Sequence, residues 1–161
     1  MKPTDLYIDL EWFMNQDIYL IGYAYSATNA GQLYDETLTM ENIIAMLEPV
    51  DGSIYFYGPD IGMLEKNTGL EIRENFNCVN LLKEFRHKLP GLPSYRLSFM
   101  EEKFGIARSQ KQYKTNIFKL VEDWNNPYKK KMVLKYNLED VVNLVRLKQL
   151  VFQNLTLEKY G

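Results

Sequence analysis

Asp9 and Glu11 stand two apart in the run Leu6-Tyr7-Ile8-Asp9-Leu10-Glu11. The run reads as a β-strand, and side chains two apart on a strand point the same way. Two carboxylates therefore project together while Ile8 and Leu10 face the other side. Like charges held that close raise each other's pKa and cost stability. A divalent cation removes the cost, because hard ions such as Mg²⁺ and Mn²⁺ prefer oxygen ligands. Taken alone, the pair also suits the solvated face of an edge strand. The remaining acids bear on the choice.

Asp60 follows the strand-like run Ile54-Tyr55-Phe56-Tyr57 and the turn Gly58-Pro59, so it sits where a strand hands over to a helix. Asp140 falls in a row with Tyr136, Leu144, Leu147 and Val151, whose spacings of four and three put them on one helix face. An acid inside an apolar stripe needs a partner, since an unpaired buried charge is expensive. A lysine is one such partner. A metal shared with Asp9 and Glu11 is the other.

Asp9-x-Glu11, Asp60 after a strand, and Tyr136-x-x-x-Asp140 together resemble the DEDD exonucleases of the tyrosine subclass. Within that group the chain is most similar to the YprB-like branch of ribonuclease H-like nucleases. The resemblance runs from about residue 5 to 150. It rests further on the strand Tyr19-Leu20-Ile21-Gly22, on Glu102-Lys103-Phe104-Gly105-Ile106-Ala107-Arg108, and on the helix motif Tyr-Asn-x-Glu-Asp-Val-x-x-Leu from Tyr136 to Leu144. The chain departs from the family in having Trp12 and Phe13 after the acid pair, a compressed Tyr57-Gly58-Pro59-Asp60, and Asn80 where an acid is common.

The resemblance implies a metal-dependent 3′→5′ exonuclease acting on single-stranded DNA or RNA through two divalent cations, Mg or Mn. Such a pair lies about 3.5–4 Å apart and assists both the attacking water and the leaving oxygen. Asp9 would bridge the ions, Glu11 and Asp140 would complete one site, and Asp60 would serve the second through water. Tyr136 would orient the attacking water. The partner is then a nucleic acid with a free 3′ end, with a homodimer or association with a DNA-processing protein left open. Two other readings stay in view on the same fold: a non-catalytic module that binds nucleic acid or protein, and a structure-specific endonuclease.

Other chemistries fare poorly. His87 is the only histidine and sits in Arg86-His87-Lys88 at a helix end, where a solvated role is expected rather than that of a hydrolase base. The histidine subclass would need its residue at position 135, which is Lys135. The single Cys78 excludes an intramolecular disulfide and a cysteine-rich zinc site.

Net charge is −2, yet residues 1–102 hold 7 Lys+Arg against 16 Asp+Glu, whereas residues 103–161 hold 12 against 5. The acids lie mostly in one half and the cations in the other. Arg108, Lys111, Lys114 and the run Lys129-Lys130-Lys131 are candidates for phosphate contact. Trp12 or Phe13 is a candidate to stack on a terminal base.

At 161 residues the chain is expected to form a single domain, residues 1–161, and to be cytoplasmic, with no leader and no membrane-spanning run. Strands are predicted at about 5–11, 17–25, 31–35, 53–57 and 75–79. Short polar turns join the first three, which makes them antiparallel hairpin neighbours. Thr39 is expected to cap a helix through Leu47, and helices are expected near 80–88, 95–104, 115–123 and 127–152, the last started by Asn126-Pro127. The fold class is α/β: a ribonuclease H-like mixed five-stranded sheet of three antiparallel strands and then parallel crossovers, flanked by helices, with a helical C-terminal half.

Overall fold

Alternation of apolar and polar residues decides how the central strand is clothed. In the computed structural model, which describes residues 2–113 and 116–160 with side chains as far as 153, strand β1 spans Leu6–Trp12. Leu6, Ile8 and Leu10 enter one apolar cluster, while Tyr7 enters another on the opposite face. Asp9 and Glu11 share the Tyr7 face by the same period of two.

The five strands are β1, β2 (Ile18–Ser26), β3 (Asn29–Tyr34), β4 (Ser53–Phe56) and β5 (Asn77–Asn80), in the spatial order β3-β2-β1-β4-β5. β1 is antiparallel to β2 and β2 to β3; β1 with β4, and β4 with β5, run parallel. This is the mixed sheet expected from the hairpin turns and the later crossovers, and β1 is its middle strand. A register shift between Glu11 and Trp12 ends the regular pairing just beyond the acid pair.

Helices cover both faces. On one lie α1 (Met40–Leu47), α2 (Asp60–Thr68) and the single turn α3 (Ile72–Asn75), packing Ile43, Ile61, Leu64 and Ile72 against Leu6, Ile8 and Leu10. On the other lie α4 (Leu81–Lys88), α5 (Leu97–Lys103) and the long α7 (Lys130–Tyr160), which buries Val141, Leu144, Leu147 and Val151 against Tyr7 and Phe85. Helix α6 (Ile117–Trp124) closes a third cluster with Tyr19, Leu20 and Val133. Thr39 caps α1 by accepting from the Asn42 N–H at 3.1 Å.

Helix α7 differs from expectation at its start. The Asn126 side chain accepts from the Tyr128 N–H at 2.9 Å, and its carbonyl accepts from the Lys130 N–H at 2.9 Å. Asn126 thus caps a preliminary turn, and the continuous helix begins at Lys130 rather than Pro127. Among the described residues no helix is long and apolar enough to cross a membrane.

Candidate active site

Carboxylate oxygens of Asp9, Glu11 and Asp140 lie within 4.8 Å of one another. β1 contributes the first two from its odd face, and α7 lays the third across that face because the stripe Leu144-Leu147-Val151 is buried there. Asp60 begins α2 just beyond the end of β4, where its Oδ2 accepts from the Leu10 N–H of β1 at 3.2 Å. It is outside the three-carboxylate group but close enough to act on it electrostatically.

The charges are crowded and poorly hydrated. Burial, then Asp140, Glu11 and Asp60, push the Asp9 carboxyl well above the usual carboxylate range. Burial, Asp140 and Asp60 do the same to Glu11. Burial raises Asp60 to about 8, against the Leu10 hydrogen bond that favours its ionised form, with Asp140 adding to the rise. Burial lifts Asp140 to about 6, and Arg108 limits the rise. The donor set is all hard oxygen. Three such carboxylates within 4.8 Å of one another could hold a divalent cation.

Two glycines and two asparagines fix this arrangement. Asn137, fully buried on α7, donates from Nδ2 to the Asp9 carbonyl and to Asp9 Oδ2, each at 3.1 Å. Its Oδ1 accepts from Gln32 Nε2 at 3.0 Å. A Cβ on Gly22, the pairing partner of Asp9, would stand 2.3 Å from Asn137 Oδ1. The glycine is therefore what admits the asparagine. Before Asp60, Gly58 turns the chain at φ +82°. Asn80 grips that turn, accepting from the Gly58 N–H at 3.0 Å and donating to its carbonyl at 3.1 Å. Asn80 thus holds the loop that aims Asp60.

Arg108 is not the surface cation that the basic C-terminal half suggests. It is 8% exposed, because two acids draw it inward. Its Nε donates to both Glu101 oxygens at 3.1 Å and its Nη2 donates to Glu101 Oε2 at 2.7 Å and to Asp140 Oδ1. Asn143 donates to Glu101 Oε2 at 2.7 Å. The guanidinium also lies 4.8 Å above the Tyr136 ring. The buried acid is Glu101 and not its exposed neighbour Glu102, since the phase of α5 turns only Glu101 toward α7.

Tyr136 is half-buried one turn before Asp140, edge-on to Tyr113 at 5.3 Å. Burial and then Asp140, Glu11 and Asp9 keep its hydroxyl protonated far above the ordinary range. That hydroxyl has no hydrogen-bond partner among the described residues. It borders a cleft of two lobes that meet at Tyr57, Arg96, Leu97, Tyr136 and Asp140. One lobe, of about 340 Å³, holds Asp9 and Glu11 beside the apolar Leu97, Ile117 and Leu120. The other, of about 370 Å³, is lined by Gly58, Pro59, Ser98, Glu101 and Arg108.

The remaining sequence candidates fall elsewhere. Trp12 packs on the α1–α2 side of the sheet, and Phe13 meets Tyr19 at 4.5 Å. The cleft's apolar wall comes from α5 and α6 instead. Lys111 is exposed, and Lys114 lies outside the described residues. Lys130 pairs with Asp35 and lies 4.4 Å over the Trp124 ring, while Lys129 and Lys131 are exposed. His87 is exposed on α4, as its sequence context suggests. Sequence reasoning missed Asn137, Glu101, Asn143 and Arg96.

A family model described as the RNase H superfamily matches residues 6–152. No curated protein matches the chain. Among solved structures, the family B DNA polymerase from the hyperthermophilic archaeon Pyrobaculum calidifontis aligns with a TM-score of 0.73 at 16% identity, over 94% of this chain and 25% of the polymerase chain. The chain thus spans a quarter of that polymerase's length, and the likeness is one of fold.

Proposed function

The chain belongs to the RNase H superfamily, and from that premise we propose that it is a metal-dependent 3′→5′ exonuclease on single-stranded DNA or RNA. One observation carries the reading: carboxylates from β1 and α7 meet within 4.8 Å on the floor of an open cleft. A lapsed site would have no use for acids whose mutual repulsion the fold must bear.

Asp9, Glu11 and Asp140 would hold one divalent cation, with Asp60 contributing to a second. Such ions, when bound, lower the pKa of water and offset charge on the phosphate. The chain's own residues do the rest. Asn137 fixes the rotamer of Asp9, and Arg108 fixes that of Asp140. Tyr136 presents a protonated hydroxyl able to orient a water without giving up its proton. Leu97, Ile117 and Leu120 offer an apolar wall to the terminal nucleoside. Trp12, Phe13 and Lys111 stay candidates for contacts with the strand beyond the cleft, and Arg108 for a phosphate.

The test is digestion of 3′- and 5′-labelled DNA and RNA oligonucleotides with Mn²⁺, Mg²⁺ or EDTA. The reading predicts stepwise release from the 3′ end in Mn²⁺ or Mg²⁺ and none in EDTA. Cleavage of circular single strands would replace it with an endonuclease. Binding with no hydrolysis under any metal would leave a non-catalytic module.

A further inference from the structure

Arg108 Nη1 is the one buried side-chain nitrogen or oxygen among the described residues that lacks a hydrogen-bond partner. Its neighbours Nε and Nη2 are saturated by Glu101 and Asp140. A buried donor left unmade costs stability, and an acceptor from a ligand would remove that cost. Arg108 lines the second lobe of the cleft, and so does Arg96. Arg96 starts α5 with an exposed side chain that makes no ion pair or hydrogen bond among the described residues. Ser98 adds a hydroxyl to the same wall. Both acids that border this lobe, Glu101 and Asp140, are already committed to Arg108. The two acids offset the two arginines in charge, so what the lobe offers a small anion is its unused donors: Arg96, Arg108 Nη1 and the Ser98 hydroxyl.

We propose that the lobe between Arg96 and Arg108 receives the phosphate one nucleotide 5′ of the phosphate that is cleaved. The inference rests on the 3′-exonuclease reading. A 3′-terminal nucleotide has no phosphate beyond the scissile one, so a second phosphate reaches the site only from the preceding nucleotide. The two lobes then divide the substrate: the apolar wall of Leu97 and Ile117 takes the terminal nucleoside, and the arginine lobe takes the inward phosphate. Arginine suits this role because its fork matches phosphate oxygens. The smallest good substrate is accordingly a 5′-phosphorylated dinucleotide, and a dinucleotide without that phosphate is a poor one.

The experiment uses two oligonucleotides that differ only in a neutral methylphosphonate at that inward position. Their Kd values are measured by fluorescence anisotropy in Ca²⁺ for the wild-type chain, Arg96→Ala and Arg96→Lys. Charge-assisted hydrogen bonds predict that the neutral linkage weakens wild-type binding about 10–100-fold. In Arg96→Ala the penalty should fall to within about threefold, and Arg96→Lys should keep part of it. An equal penalty in wild type and Arg96→Ala, or no penalty in wild type, overturns the proposal. Arg96 is exposed, so these variants fold, whereas replacing Arg108 would strip two buried acids of their partner. Hydrolysis assayed in parallel keeps the two ideas apart: its absence with all oligonucleotides counts against the exonuclease reading, while the Kd comparison still decides the subsite.

Discussion

Asn137 donates to Asp9 twice, to its backbone carbonyl and to its carboxylate, both at 3.1 Å. One buried amide thereby joins the strand that carries two of the acids to the helix that carries the third. It sets the distance between Asp9 and Asp140 and also the rotamer that Asp9 presents.

Replacing Asn137 by Ala should cost about 1–3 kcal/mol, the range for stranding a buried partner, since Gln32 loses one bond and Asp9 loses two. Gly22→Ala should destabilise by a similar amount, about 1–3 kcal/mol, through overpacking, because its Cβ would strike Asn137 Oδ1. Both variants should bind Mn²⁺ more weakly than wild type. Urea denaturation and Mn²⁺ titration check this; wild-type Mn²⁺ affinity in both would separate Asn137 from the site.

Asp9→Asn should abolish hydrolysis and leave the metal-free protein as stable as wild type or more so. The substitution removes one of several crowded negative charges. Melting curves in EDTA and oligonucleotide digestion in Mn²⁺ measure the two halves. Full activity in Mn²⁺ would falsify the assignment of Asp9.

Tyr136→Phe should lower the single-turnover rate about 10²–10⁴-fold, the usual contribution of a positioned acid–base group, with little change in substrate affinity. The ring stays against Tyr113 and beneath Arg108, so the melting temperature should hold. An unchanged rate would return this tyrosine to a packing role.

The metal-free protein should lose stability as pH rises from about 4 to 8. Asp60 is lifted to about 8 and Asp140 to about 6, each by burial first. A carboxyl whose folded pKa exceeds its unfolded value binds more protons in the folded state. Its stabilising effect is complete below the unfolded value, near 4, and is lost as pH climbs through the folded one. Mg²⁺ or Mn²⁺ should oppose the loss, with a larger shift in Tm at pH 8 than at pH 5, because ligands must shed protons to bind metal. Thermal melts across this range with EDTA or Mn²⁺ test it; a metal-free Tm that rises over the same interval would contradict the site's electrostatics.

Much of the site was legible because it follows from period alone. A spacing of two put Asp9 and Glu11 on one strand face, and spacings of four and three put Tyr136 and Asp140 on the stripe of Leu144 and Val151. The strand-to-helix handover located Asp60. The supporting residues were not legible, because their roles arise from contacts over long separations. Nothing local marks Asn137 as the partner of a residue 128 positions away, and Gly22 reads as a strand glycine until Asn137 is seen against it. Adjacent acids are ambiguous in the same way. Glu102 carried the motif in the sequence, yet α5 turns Glu101 inward. Arg108 reads as one candidate for phosphate contact among several, because sequence does not show which cations have buried acids waiting for them.

The 128-residue gap between Asp9 and Asn137 also governs when the acidic site comes into being. Asp140 lies on α7, so the three carboxylates meet only once α7 has been made and has docked on β1. On the ribosome, β1 emerges long before α7 is synthesised. The nascent chain therefore carries an acid pair without its third member until translation has passed Asp140.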